Sequence, residues 1–188
     1  MSDSEVILRL SYRHQKQRDV FSAQYLDYMV NSRKDKTCLF NENGVIEYAA
    51  IKRELRDHEG YIWRCIISLR EEVAQELGYL GNEKWQFMLS QAMPNLARKM
   101  GFEIANFFWV GVTNFDRENP HAKVMFWEKV KKRISPPHVS VIILREMKEL
   151  FKRQIDDERE FMKCLSDSYQ DMELSVDSIF DKNGLIIL

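Results

Sequence analysis

Between Glu5 and Ser11, Val6, Leu8 and Leu10 alternate with Ile7 and Arg9, and this two-residue period among strand formers predicts a first β-strand. From Asp19 to Asn31 the period lengthens. Phe21, Tyr25, Tyr28 and Met29 recur at spacings of three and four, which sets them on one face of a helix. Asn41-Glu42-Asn43-Gly44 has the composition of a turn, and Glu47 to Asp57 has the spacing and charge mix of an amphipathic helix that stops before Gly60. Tyr61 to Leu69 is a near-continuous apolar run, suited to a central strand covered on both faces. Two helices are predicted next, Glu71 to Leu77 and Glu83 to Met100, the second closed by Gly101. Phe107 to Thr113 and His121 to Trp127 are further apolar runs. The polar segment Asn114-Phe115-Asp116-Arg117-Glu118-Asn119-Pro120 between them makes them two antiparallel strands at the centre of the sheet.

Ser135-Pro136-Pro137 interrupts the pattern, and Val139 to Ser166 resumes as a long charged helix with Ile142, Ile143, Met147, Leu150, Phe151 and Ile155 near one face. Asp167 to Asp181 then carries five acidic residues and no basic one, before apolar Leu185 to Leu188. No internal repeat is present. The elements add up to an α+β fold, a central antiparallel sheet flanked by helices, followed by a C-terminal helix and an acidic tail. The expected organisation is a core over 1–134, a long helix over 135–166 packed on it or extending from it, and a flexible or partner-docking tail over 167–188.

Composition narrows the class. At 188 residues and 45% hydrophobic, the chain can bury one substantial core but not two comfortable ones. A formal net charge of -1 removes any general positive field, so a nucleic-acid partner would have to be held by a local basic patch. Cys38, Cys65 and Cys164 are widely spaced and odd in number, which favours a reducing cytoplasm over a disulfide framework or zinc knuckle. The N-terminal stretch lacks the basic and apolar regions of a signal peptide, and no run of 18 apolar residues occurs, so neither secretion nor membrane insertion is expected.

Several blocks then stand out in identity, order and spacing. They are Tyr25-Leu26-Asp27-Tyr28 followed by Arg33; Leu39-Phe40 before an Asn-Gly turn; and Tyr61-Ile62-Trp63-Arg64-Cys65-Ile66-Ile67-Ser68-Leu69-Arg70. Leu77-Gly78-Tyr79, Trp85, Phe108-Trp109-Val110-Gly111 and Asn119-Pro120-His121-Ala122-Lys123-Val124-Met125 come after them. From about Val6 to about Phe161 this series resembles the Firmicutes MobP/MobL-type conjugative relaxases of the HUH endonuclease superfamily, with the Ile-Trp to Ser-Leu-Arg block and the Leu-Gly-Tyr as its more specific elements.

That resemblance implies a metal-dependent nicking site. Two histidines alternate across one hydrophobic residue on a strand, so both imidazoles point to the same face. A third comes from the neighbouring strand, and the bound ion polarises a scissile phosphate. A tyrosine attacks the phosphorus and leaves a 5′-phosphotyrosine on the DNA. By resemblance Tyr28 is the first candidate nucleophile and Tyr25 the second. The sequence departs from the family pattern at the metal. Asn114 stands where the first strand would carry a histidine, and Asn119-Pro120-His121-Ala122-Lys123 stands for His-Pro-His-hydrophobic-His, leaving His121 alone of the triad. If an ion is retained, His121 and Asn114 would hold Mg²⁺ or Mn²⁺, the amide oxygen suiting a hard cation. Loss of metal binding is the other expectation, and Lys123 then puts a fixed positive charge where the ion sat, able to hold a phosphate unaided.

Ordinary structural roles account for the same residues. A single strand histidine beside aromatics is usually structural, and tyrosines at helical spacing are usually core. Lys123, Lys129, Lys131, Lys132 and Arg133, with Phe126 and Trp127 among them, form the densest basic cluster and would suit single-stranded DNA, or else a solvated strand end. Arg33 joins the DNA-binding candidates by its place after the Tyr-x-x-Tyr. Three functions follow from the resemblance. One is a relaxase-like protein of a mobile element that binds single-stranded or hairpin DNA at an origin-of-transfer-like site and is impaired in nicking. Another is an active relaxase with a reduced metal site. The third is a non-enzymatic partner of an intact relaxase or other transfer protein.

Overall fold

A computed structural model describes residues 5–16, 20–31, 38–115, 119–132, 135 and 139–179, with side chains to 168. Six strands form one sheet: β1 (Val6–Gln15), β2 (Phe40–Asn41), β3 (Gly44–Val45), β4 (Gly60–Leu69), β5 (Phe107–Asn114) and β6 (His121–Glu128). Their order is β1-β4-β6-β5-β2-β3, and every pairing is antiparallel. The expected β5 and β6 pair lies at the centre. The Asn-Glu-Asn-Gly turn closes the β2–β3 hairpin, with Asn43 N–H donating to Asn41 Oδ1 at 2.8 Å and Gly44 taking the left-handed φ of 109° that favours glycine.

Register divides the sheet into two faces. Ile62, Val110, Val112, Met125 and Trp127 share one face, where Leu26 and Met29 of α1 (Phe21–Asn31) and Ile51 and Leu55 of α2 (Tyr48–Asp57) close over them. The other face carries Trp63, Cys65, Ile67, Trp109, Val124 and Phe126, all buried. There Thr113 bonds Asn82 at the start of α4 (Asn82–Lys99), and Phe102, just beyond α4, meets Phe126 edge-on. This two-sided cover explains the unbroken apolar run of β4. The short α3 (Glu71–Glu76) links β4 to α4.

Two elements exceed their predicted limits. β1 runs on to Gln15, because its last residues pair with Tyr61 and Gly60 although Ser11 to His14 are exposed and show no apolar alternation. α5 (Val141–Ile179) continues past the expected end at Ser166, since no glycine or proline interrupts the chain between Pro137 and Gly184. The chain divides into two compact units, Met1–Lys152 and Arg153–Leu188. No helix among the described residues is long and apolar enough to cross a membrane.

His58, at the end of α2, is a buried residue that the sequence did not flag. Its ring centroid lies 6.2 Å from that of Trp127, and its Nε2 has no hydrogen-bond partner. Burial, opposed by the charges of Glu128 and Glu59, lowers its pKa to about 4. The unfolded chain therefore takes up this proton first as pH falls. The stability linked to neutral His58 is complete above about pH 6.5 and is lost as pH drops towards 4. Urea unfolding at pH values of about 7.5 and 4 is expected to show roughly 2–3 kcal/mol more acid loss in the wild type than in His58→Phe. Equal losses would place the acid sensitivity elsewhere.

Candidate functional site

The helix-covered face on which Trp127 is buried also carries the residues singled out for chemistry. Asn114 ends β5 and His121 begins β6; they are direct partners across the strand pair, with Ser68 of β4 opposite His121 on its other side. Both are about nine-tenths buried. His121 Nδ1 lies 3.1 Å from the carbonyl oxygen of Asn119. A carbonyl can only accept, so Nδ1 carries the proton in this contact and Nε2 is the basic nitrogen of the neutral ring.

Lys123 follows two residues along β6 and points to the same face. It is only 7% exposed, and its Nζ lies 4.3 Å from the centre of the Tyr28 ring, a cation–π contact. Among the described residues it has no carboxylate partner. Tyr28 itself is 55% exposed. Tyr25, one turn earlier, is partly buried, with ring centroids 5.9 Å apart. Burial raises the Tyr25 pKa, against the lowering influence of Arg64, which makes it the poorer nucleophile.

α1 owes its placement to Asp27. The Tyr48 hydroxyl donates to Asp27 Oδ1, and Lys52 Nζ approaches both carboxylate oxygens at 2.7 and 2.8 Å. Burial favours the protonated acid, but the hydrogen bonds from Lys52 and Tyr48 outweigh it and hold the Asp27 pKa below the usual carboxylate range. α1 is thus tied to α2 midway between the two tyrosines.

Arginines that sequence reasoning passed over extend the site. Arg64 of β4 lies with its guanidinium 4.2 Å from the Tyr25 ring centre and 4.6 Å from that of Phe21, and Arg13 stacks at 3.8 Å on Phe21. Arg64 Nε and Nη2 are buried without a hydrogen-bond partner. Arg9, paired with Ile66, shares this face. A signal was present, since Val6 to Lys16 carries Arg9, Arg13 and Lys16 and no acid.

The expected basic cluster comes apart. Trp127 is fully buried and donates its indole N–H to Glu54 at 3.0 Å, so it belongs to the core and offers no ring to DNA. Lys131 and Lys132 are ion-paired with Glu59 and Glu103, and Lys129 lies 5.8 Å from the Phe108 ring centre. These three follow the far end of β6, roughly 20 Å from His121 along the strand. Only Lys123 joins the site. Arg33 and Arg133 lie outside the described residues.

A family model for MobL relaxases matches residues 2–179. The chain belongs to the MobL relaxases. No curated protein and no solved structure matches it. In this MobL relaxase the imidazole of His121 and the amide oxygen of Asn114 can offer lone pairs to a cation. No cluster of three or more His, Cys, Asp or Glu side chains that could hold a metal occurs among the described residues.

Proposed function

We propose that this MobL relaxase binds single-stranded or hairpin DNA at an origin-of-transfer-like site of a mobile element, and that it is impaired in nicking because a lysine occupies the place of a metal ion. The observation that carries the reading is Lys123, a largely buried side chain with no carboxylate partner among the described residues, on the same face as His121 and against Tyr28. A cation at such a place gains from a counter-charge brought by a ligand. A DNA phosphate would supply one, with Arg64 and Arg9 on the same face adding to the attraction.

The residues present do not fit a divalent ion held by three imidazoles. His121 supplies one, Asn114 a weak oxygen donor, and a protonated Lys123 repels a cation. Without an ion to polarise the phosphate, a neutral phenol is a poor nucleophile. The free thiols Cys38, Cys65 and Cys164 fit a reducing, cytoplasmic setting. A second reading, slow metal-assisted nicking by Tyr28, is favoured by the 55% exposure of that residue beside Lys123.

Fluorescence anisotropy of labelled single-stranded, hairpin and blunt duplex DNA in a salt series tests the binding. The expected result is tighter binding of the first two, weakening as salt rises with a log–log slope of about -1.5 to -2.5, as two or three phosphate contacts require. Absence of binding at low salt would contradict the reading and favour a protein partner such as an intact relaxase.

A further inference from the structure

On the opposite face of the sheet, a cavity of about 400 Å³ opens between β1 and the start of α5, lined by Leu10, Ser11, Tyr12, Trp63, Val139 and Leu144. We propose that it receives one base of the bound DNA strand, stacked on Tyr12 and accepting a hydrogen bond from the indole N–H of Trp63. The proposal rests on the DNA-binding reading above and names a second contact region for it.

Trp63 is 1% exposed, and its Nε1 is buried without a hydrogen-bond partner. An indole nitrogen is a donor only, and leaving it unsatisfied in the interior is unfavourable, so Trp63, one of the residues lining the cavity, lacks an acceptor among the described residues. Tyr12 is the direct strand partner of Trp63, its ring tilted at 41° with centroids 4.7 Å apart. It is half exposed and so keeps a ring surface for a ligand. Leu10, Val139 and Leu144 give the cavity apolar walls. An aromatic platform, apolar walls and one unmet donor suit a flat heteroaromatic ring bearing a carbonyl oxygen or ring nitrogen, and the volume lies within the range of small-ligand sites.

The strand that carries Tyr12 selects among such rings. Among the described residues β1 is an edge of the sheet, paired with β4 alone. Its exposed residues include Arg9 and Arg13 on the face of Lys123 and Tyr12 and His14 on the other, and no acid occurs between Val6 and Lys16. A polyanion lying along the arginines can cross this edge and turn a base into the cavity. A purely apolar side chain would fill the walls but would leave the N–H unmet and the basic edge unused.

The test places 2-aminopurine at each position in turn of the DNA strand the full chain binds best, and follows its emission on saturation. At one position the emission is expected to be quenched severalfold by stacking. Tyr12→Ala abolishes that quenching and weakens binding roughly 5- to 100-fold. Tyr12→Phe retains the ring and the quenching. Trp63→Phe removes the N–H and weakens binding of that base, although it relieves an unmet donor in the free protein. If the wild type binds DNA but no position is quenched, or Tyr12→Ala leaves quenching and affinity unchanged, the cavity holds no base and the proposal is overturned. If the wild type binds no DNA, the DNA-binding reading itself fails.

Discussion

Replacing Asn114 and Lys123 together by histidine is expected to confer Mn²⁺-dependent nicking, seen as a covalent protein–DNA adduct at least about 100-fold above the wild-type level. The expectation follows from register. Residues 114 and 121 face each other across β5 and β6, so their Cβ atoms lie about 5 Å apart on one face. Residues 121 and 123 share that face at two-residue spacing, roughly 7 Å along the strand. Three imidazoles from these positions can converge on one ion. The Tyr28 ring already lies against the residue at 123, so the candidate nucleophile borders one of the three positions that would hold the ion. The adduct should vanish with chelator and with Tyr28→Phe. Metal binding by the double variant without an adduct would show that Tyr28 is wrongly placed for attack.

The second large effect is expected at Lys123 alone. Lys123→Met keeps the length and apolar stem of the side chain and removes the charge. DNA affinity at low salt is expected to fall about 10-fold, and the salt slope to become shallower by about one, as loss of one phosphate contact requires. Folding stability should fall by no more than about 1 kcal/mol, because only a cation–π contact is lost while the apolar stem stays packed. Lys131→Met and Lys132→Met serve as controls. Their ammonium groups are paired with Glu59 and Glu103 at the far end of β6, and each change should alter affinity by less than about twofold. An equal loss from all three would mean that binding follows overall charge and that position 123 has no special part in it.

The contrast among these lysines marks how far sequence could be read. Alternation along β6 correctly put His121 and Lys123 on one face, because a two-residue period is a local property of a strand. Burial is not local. Trp127 looks like a stacking ring because basic residues follow it, yet parity carries it under α1 and α2, where Glu54 accepts a hydrogen bond from its indole N–H. The clustering of Lys123 with Lys129, Lys131 and Lys132 held along the chain but not in space, since an extended strand separates neighbours by more than 3 Å per residue.

β1 shows the opposite error. Its second half, Ser11 to Gln15, has no apolar alternation because an edge strand meets solvent on much of its surface, so the strand was read too short. The same polar half carries Tyr12, Arg13 and His14. Arg64 was hidden for another reason, as one charged residue in the apolar run of β4. Only the three-dimensional contact with Phe21 and Tyr25 separates it from a chance surface residue. The fold was legible where both faces of an element are covered, and the site was legible only where two strands fix its residues in register.

The most direct test incubates the wild-type chain with origin-like hairpin DNA and Mn²⁺, measures binding in solution, and runs the same sample on a denaturing gel beside Tyr28→Phe. The account predicts salt-sensitive binding by both proteins and no covalent adduct from either. An adduct formed by the wild type and lost in Tyr28→Phe would contradict it, and would make the chain an active relaxase with Lys123 inside a working site.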